Sequence, residues 1–205
     1  VLARGQSTRI PLRVGALSTL SRNFQIQFLE PVLEREDVDL VLKSGTLDTL
    51  LAELSDLALD VVLTTEPPSG APAQMRATKL AEQPVGLHGR PDLLTYPSLA
   101  ALLSNVPVIL PAEPAIRRHF DALIADLGVR PRIAAQVDDM AMVRLLAREG
   151  KGLALAPSVV FVDEIAAQRV VASPFDLAMT ETFYAVTIKR NFPHPLLASL
   201  LAIGS

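Results

Sequence analysis

The sequence predicts an α/β protein in which short strands alternate with amphipathic helices. Runs rich in Val, Leu and Ile alternate with leucine stripes at helical spacing, as in βαβ units around a parallel sheet. The alternation starts afresh after Arg90-Pro91, and a chain of this length can form one large domain or two lobes. Half of the 205 residues are hydrophobic and only 4% are aromatic, so the chain can bury a sizeable core of aliphatic side chains.

The first half starts with residues 1–11, which carry no periodic pattern and are predicted to be a linker or a remnant of a longer chain. The leucines of residues 47–54 then recur at i, i+3, i+4 and i+7, the spacing of one helical face. Pro31 lies inside another predicted helix, which it can kink. The predicted strands are 12–17, 38–42, 60–64, 79–82 and 85–88, the predicted helices are 24–33 and 47–54, and residues 66–72 are predicted to be a loop.

The second half repeats this alternation with clear stop signals. Gly150 is a good residue for the end of a helix, Pro157 stops a strand, and Pro195 opens the last helix. The predicted strands are 108–110, 133–137, 153–156 and 183–189, and the predicted helices are 115–127, 140–149, 159–168 and 195–203.

Composition excludes several classes of protein. The net charge is −3, and no basic run is longer than Arg117-Arg118, so the chain is not expected to bind nucleic acid by itself. The absence of cysteine excludes disulfides, thiolate catalysis and cysteine-ligated metals. No apolar stretch approaches the roughly 18 residues of a membrane helix, and no signal peptide is visible. We therefore expect a cytoplasmic protein without membrane contact, and the missing initiator Met suggests a piece of a longer chain.

No catalytic constellation is visible in the sequence. His88, His119 and His194 are far apart, and neither metal-binding spacing nor a nucleophile or phosphate-loop motif surrounds them. Asp138 and Asp139 are adjacent, so their side chains diverge and make a poor acid/base pair. We expect no catalytic residue, no metal site and no cofactor.

Hydroxyl groups follow several predicted strands at the point where each strand leads into a helix. Ser18 and Thr19 follow the first strand, and Thr46 follows the second. Hydroxyls beside helix N-termini suit an anion, because free N–H groups and the positive end of the dipole lie there. The same residues are also common helix caps and turn formers. Thr64 either lines the same crevice or ends its strand.

The second half offers candidate residues at equivalent positions. Ala112 and Glu113 follow one strand, Asp138 and Asp139 follow the next, and Pro157 would form a rigid wall after a third. An Asp before a helix is most often an N-cap. The alternative is that Glu113, Asp138 or Asp139 supplies oxygen to a cation or a cationic ligand, since hard cations prefer oxygen.

Two segments resemble the effector domains of LysR-type transcriptional regulators. Residues 38–64 have the order strand, Ser/Gly/Thr turn, leucine-rich helix and Leu-Asp-apolar strand, and residues 136–157 have a helix, a Gly-x-Gly turn and a strand ending in Pro. The resemblance extends over about residues 12–203. A finer similarity, to the NhaR branch that activates sodium/proton antiporter genes, is carried by residues 12–16, 137–141, 156–157 and 194–195.

This resemblance implies the fold of type 2 periplasmic binding proteins, two α/β lobes joined by two crossover strands near 85–88 and 184–188. Lobe I would be residues 12–86 plus 187–205, and lobe II residues 87–186. It also implies that an effector, a small molecule or an ion, binds in the cleft between the lobes, lined by the strand-end residues named above. A sodium-linked effector is implied by the NhaR resemblance alone.

The resemblance further implies a homodimer, or a tetramer of the full-length regulator. DNA would be bound only through an N-terminal helix-turn-helix that this chain lacks. The alternative is a stand-alone solute-binding protein, which shares the fold and predicts an upstream signal peptide and a monomer. An enzyme on the same scaffold would need a cluster of titratable groups in the cleft, which the sequence does not show.

Overall fold

A computed structural model describes residues 9–70 and 72–202. The described chain divides into two compact units. Unit 1 comprises the chain up to Leu17, Gln25–Ala81 and the chain from Phe183 onwards, and unit 2 comprises Ser18–Phe24 and Glu82–Thr182. Two long strands, β4 (Met75–Gly89) and β9 (Met179–Ile188), pass from one unit to the other. The predicted two-lobed α/β fold with two crossover strands is confirmed.

Unit 1 has a mixed sheet covered by helices. Its elements are β1 (Ile10–Leu17), most of α1 (Arg22–Leu33), β2 (Val38–Gly45), α2 (Leu47–Ser55), β3 (Val61–Thr64) and α7 (Leu197–Leu201), together with parts of β4 and β9. The strand order is β2-β1-β3-β9, with β1 parallel to β2 and β3, and β9 antiparallel to β3. A Cβ on Gly15 would lie 2.7 Å from Leu59 Cδ1 and 3.0 Å from Leu50 Cδ2, so the glycine lets these leucines approach β1 closely.

The first strand begins earlier than the sequence indicated. Ile10 and Pro11 belong to β1 and not to the predicted linker, because the Ile10 N–H donates to Asp37 O at 2.7 Å and Ile10 pairs with Val38. Residues 1–8 of that linker lie outside the described residues.

Unit 2 is built around a second group of strands. Its elements are α3 (Leu99–Asn105), β5 (Val108–Pro111), α4 (Pro114–Leu127), β6 (Ile133–Val137), α5 (Met140–Arg148), β7 (Leu153–Pro157), α6 (Val162–Ala166) and β8 (Val171–Ala172), with parts of β4 and β9. The order is β4-β7-β5-β6, β5 is parallel to both its neighbours, and β8 pairs with β4.

The strand β5 explains how unit 2 buries both faces of its sheet. Val108 and Leu110 point into one apolar cluster with Phe120, whereas Ile109 points into a second cluster with Phe161. A continuous apolar run is typical of a strand covered by helices on both sides. Each cluster is therefore filled by alternate residues of the same strands.

Several elements differ from their predicted extents. The predicted strands 79–82 and 85–88 are one strand, β4, which runs through the exposed Pro84. The predicted helix 159–168 is a 3₁₀ turn, Ser158–Phe161, followed by the short α6. The helix α3 was not predicted, and its N-cap Ser98 accepts a hydrogen bond from Ala101 N at 3.1 Å. The predicted helix 195–203 spans Leu197–Leu201, and residue 203 lies outside the described chain. Among the described residues, no helix is long and apolar enough to cross a bilayer.

Candidate functional site

Four of the predicted site residues meet within unit 2, where Ser18–Phe24 contacts the N-terminal ends of α4 and α5. Ser18 O accepts a hydrogen bond from Met140 N at 3.0 Å. The Thr19 hydroxyl donates to Glu113 Oε2 at 3.2 Å. Arg22 forms an ion pair with Asp139 at 3.7 Å. Ser18, Thr19, Glu113 and Asp139 therefore belong to one group of polar side chains.

The buried carboxylate of this group is Glu113, the N-cap residue of α4, which is 4% exposed. Its backbone is extended and Pro114 follows it, so the helix starts where a proline without an N–H is tolerated. Its side chain does not cap the helix but accepts the Thr19 hydrogen bond. The sequence-based expectation that Glu113 supplies oxygen to a cationic ligand stays a prediction.

The two aspartates between β6 and α5 have different environments. Asp139 is the N-cap of α5, and its Oδ1 accepts from Ala141 N at 3.0 Å, which is the capping role that the sequence analysis weighed against ligand binding. Asp138 is exposed and makes no hydrogen bond or ion pair with another described residue.

The remaining unit 2 candidates, Ala112 and Pro157, have no polar side chain and could contribute to the site only through backbone groups and apolar surface. Ala112 is exposed, and its N–H donates to Val137 O at 2.8 Å. Pro157 is buried as the last residue of β7 and pairs with Val85 of β4. Both residues lie at strand ends, as expected.

The unit 1 candidates are described separately. Thr46 is exposed and is the N-cap residue of α2, but its hydroxyl donates to the Thr49 hydroxyl at 3.0 Å and caps no amide. Thr64 is completely buried, and its hydroxyl is used locally, donating to Glu66 O at 3.1 Å and accepting from Glu66 N at 3.3 Å. Within the described chain, the buried hydroxyl of Thr65 has no hydrogen-bond partner.

Glu181 is a buried acid that the sequence analysis missed. It lies in β9 and is 6% exposed, and its Oε1 has no hydrogen-bond partner among the residues that the structure describes. Burial raises its pKa to about 8, and the negative charge of Glu113 adds to the rise. A signal was present in the sequence, because Met179, Glu181 and Phe183 alternate along the strand on one buried face. The predicted strand started at 183, so this alternation was not recognised.

A second buried titratable residue, His88 in β4, lies next to the end of β7. Its Nδ1 is 3.2 Å from Gly86 O and its Nε2 is 3.0 Å from Ser158 Oγ. Because a carbonyl can only accept, Nδ1 is the donor and Nε2 accepts from the Ser158 hydroxyl. The ring stacks on Phe161 with centroids 4.8 Å apart, and burial lowers its pKa to about 4. The imidazole is therefore neutral at physiological pH.

The described residues contain no group of three or more His, Asp or Glu side chains that could hold a metal ion. What unit 2 presents instead is a set of hydrogen-bonding groups: the Ser18 and Thr19 hydroxyls, two buried carboxyls and the N-terminal ends of two helices. Such a set of a few hydrogen-bonding groups, most of them at strand ends, is typical of small-molecule recognition.

The chain is similar to regulator domains of known structure. The regulatory domain of HypT from Salmonella typhimurium, in its apo form, has a TM-score of 0.76 and 14% identity, with 98% of each chain covered. DarR from Vibrio fischeri, solved in complex with DNA, has a TM-score of 0.75 and 15% identity, covering 98% of this chain and 68% of DarR. The CcmR regulatory domain of Synechocystis PCC6803, in complex with 2-PG, has a TM-score of 0.71 and 16% identity, covering 95% and 97%. No curated protein matches the chain in sequence.

At these identities the structural likeness shows the fold, and the family is shown by sequence. The LysR substrate binding domain family matches residues 5–203, nearly the whole chain. The alternative of a stand-alone solute-binding protein is not favoured, because the family and these structural neighbours are domains of transcriptional regulators. The chain belongs to the LysR substrate-binding domain family, the effector-binding regulatory domains of LysR-type transcriptional regulators.

Proposed function

We propose that this domain senses a small effector for a DNA-binding transcriptional regulator, and that the effector binds at the strand-end residues of unit 2. The observation that carries the proposal is the contact of Thr19 with the buried Glu113 beside Ser18, whose hydroxyl makes no hydrogen bond with the described residues. The buried carboxylate of Glu113 and the available hydroxyl of Ser18 lie near helix starts, where a ligand could form hydrogen bonds with them in place of water. Ala112, Asp138, Asp139 and Pro157 flank this place in the proposal, and Thr46 and Thr64 are further candidates from unit 1.

The mechanism would be a population shift. An effector that binds one conformation of the regulatory domain more tightly than another moves the equilibrium between them, by no more than its difference in affinity. In the regulator this shift would change how an N-terminal helix-turn-helix contacts a promoter. DarR, whose structure contains DNA, supports assigning DNA binding to a full-length regulator of this kind. Dimers or tetramers in the cytoplasm are part of the same proposal.

The finer proposal concerns the effector itself. The similarity of residues 12–16, 137–141, 156–157 and 194–195 to the NhaR branch favours a regulator that responds to sodium. A melting curve in sodium chloride and another in potassium chloride at equal ionic strength separate a specific sodium effect from screening. Wild-type curves that coincide in the two salts would remove the sodium proposal, and an equal sodium response in Asp139→Asn would remove Asp139 as a ligand of the ion.

The proposed effector site predicts that Thr19→Val weakens effector binding without unfolding the domain. The hydroxyl is half-buried and bonds one carboxylate, so its loss should weaken an effector that uses this group by about fivefold, the effect of one hydrogen bond. Melting temperatures are measured across a panel of small carboxylates, phosphates, sugars and amines, and each stabilising compound is titrated into the variant.

The matched control is Ser104→Ala. It removes an exposed hydroxyl in α3 that bonds only to Ala100 O, so it should leave every compound's affinity unchanged. Stabilising compounds that bind wild type, Thr19→Val and Ser104→Ala equally would contradict the location of the site.

A further inference from the structure

The Glu181 carboxyl in β9 is an unusual group to find buried in a protein interior. A carboxyl that is 6% exposed normally has hydrogen-bond partners for both oxygens, because it has lost its water. Oε1 of Glu181 has no such partner in the part of the chain that the structure describes. The group is therefore held in a place where a donor is missing.

The surroundings of this carboxyl increase the demand for a donor. Burial raises the pKa of Glu181, and the negative charge of Glu113 raises it further. Glu113 is itself only 4% exposed. Two carboxylates that share a low-dielectric site cannot both ionise without a compensating positive charge. Glu181 therefore keeps its proton when the site is empty, and a cation that binds beside it can take the place of that proton.

We propose that Glu113 and Glu181, with the Thr19 hydroxyl, bind the protonated nitrogen of an amine-bearing effector. The inference rests on the proposed effector function and gives it a chemical class. An ammonium group has three N–H donors and needs three acceptors, and the site offers the open Oε1 of Glu181, the carboxylate of Glu113 and the lone pairs of Thr19 Oγ1, which is 3.2 Å from Glu113 Oε2.

The number of oxygens favours an ammonium group over a divalent metal ion. Calcium takes six to eight oxygen ligands and magnesium demands a near-octahedral set, whereas an ammonium group is satisfied by three. In the described chain no three His, Asp or Glu side chains converge as a metal site would require. Two acids and one hydroxyl match the smaller requirement.

Binding of an ammonium ion at this site should be coupled to the release of a proton from Glu181. Glu181 holds its proton until about pH 8, and an ammonium ion that binds beside it expels that proton to the solvent. Binding near pH 6.5 should therefore release about one proton per ammonium ion, and the affinity should rise as the pH increases towards 9.

The experiment uses ethylammonium chloride as the probe. Its effect on the melting temperature of the chain at pH 8.5 is compared with that of tetramethylammonium chloride, which has the same charge but no N–H donor, and of potassium chloride at equal ionic strength. Ethylammonium at ten times its Kd should raise the melting temperature by about 3 °C, and the other two salts should not. Calorimetry at pH 6.5 in two buffers of different ionisation enthalpy measures the released proton.

Two variants connect the response to the pair. Glu181→Gln keeps the shape of the side chain but removes its charge, so it should abolish the ethylammonium response and the proton release. Because the buried acid is no longer forced to ionise, this variant should also melt at a higher temperature than wild type at pH 8.5, which shows that it is folded. Glu149→Gln, which changes an exposed carboxylate at the end of α5, should behave like wild type.

The outcomes separate this inference from the proposed function. Equal shifts with ethylammonium and tetramethylammonium, or an unchanged ethylammonium response in Glu181→Gln, would overturn the amine site. A neutral or anionic compound that requires Thr19 while ethylammonium has no effect would also overturn it, but would leave the effector function standing. The effector function itself fails if no compound alters promoter binding of the full-length regulator.

Discussion

The His88 imidazole is a single residue whose charge state is set by its surroundings. It is 1% exposed, and both ring nitrogens are engaged, by Gly86 O and by Ser158 Oγ. Burial lowers its pKa from the ordinary 6.5 to about 4. Between these two values the unfolded chain binds more protons than the folded chain. The stability that depends on the neutral ring is therefore fully present above pH 6.5 and declines as the pH falls towards 4.

The first residue-scale prediction is that wild type loses about 3 kcal/mol relative to His88→Gln when the pH falls from 7 to 4, because the variant has no imidazole to protonate. Urea unfolding of both proteins across this range gives the difference directly. The comparison with the variant is needed because other groups also make the stability depend on pH. Burial raises the pKa of Asp60, but its contacts with Arg13 lower it below the ordinary value, so Asp60 also contributes less stability in acid. Glu181, whose pKa is raised, acts in the opposite direction.

The control for His88 is the exposed His119 on α4. His119→Gln should follow the wild-type curve at every pH. Parallel curves for wild type and His88→Gln would mean that the imidazole is not held neutral, and would remove this account of its role.

At the scale of elements, the turn between α5 and β7 is where a side chain is least tolerated. A Cβ on Gly152 would lie 2.6 Å from Pro107 O and 3.1 Å from Pro107 C. That backbone cannot easily move away, because Leu153 N donates to Pro107 O at 2.8 Å and this bond aligns β7 with β5. The missing side chain of Gly152 thus allows two parallel strands to start together.

We therefore expect Gly152→Ala to destabilise the domain by about 3 kcal/mol, since the clash is with backbone rather than with a flexible side chain. Gly128→Ala at the end of α4 is the matched control. Its φ of +65° also disfavours a side chain, but the space around it is open, so it should cost only about 1 kcal/mol. Urea unfolding measures both, and equal losses would show that the contact with Pro107 relaxes.

Elements with a strong periodic pattern were predictable from the sequence, and those shaped by neighbours were not. The leucine spacing of α2 fits only a helix with one buried face, and the short apolar run of β3 fits a fully buried strand, so both elements could be predicted. The sequence predicted two strands, 79–82 and 85–88, where the structure has the single strand β4, and Pro84 lies in the gap between them. A proline inside a strand is normally disruptive, and Pro84 is tolerated because its position is exposed. The short α3 carries too few residues for its period to be recognised.

The candidate site shows the same division. The rule that ligands bind at strand ends brought Thr19 and Glu113 into one group, although they are far apart in sequence. The rule does not decide which way a side chain turns, so it could not foresee that Thr64 bonds Glu66. The N-cap role of Asp139 followed from a different rule, that an Asp before a helix is most often its cap. Glu181 lies within a strand and not at its end, so only its alternation with Met179 could have revealed it.

At the scale of the whole molecule, about half of the basic side chains that the structure describes lie in ion pairs with carboxylates. The net charge is −3, so acidic side chains outnumber basic ones. The ion pairs are Arg13 and Arg190 with Asp60, Arg22 with Asp139, Arg35 with Asp37, Lys43 with Glu53, Arg90 with Asp92, Arg117 with Asp121, Arg144 with Asp163 and Glu164, and Arg148 with Glu149. A paired guanidinium must give up its carboxylate before it can replace a counterion on DNA.

This distribution predicts that the chain by itself does not bind duplex DNA. Non-specific binding has a Kd of roughly 10⁻⁴ to 10⁻⁶ M at physiological salt and depends on cations that displace counterions from phosphates. Fluorescence anisotropy of a labelled duplex should therefore show no saturable rise with this chain up to about 100 µM. The titration is repeated at low salt, where any electrostatic binding would become stronger. Saturable binding that weakens steeply with salt would show a basic surface on this domain, and would contradict the proposal that DNA is contacted only by a separate N-terminal domain.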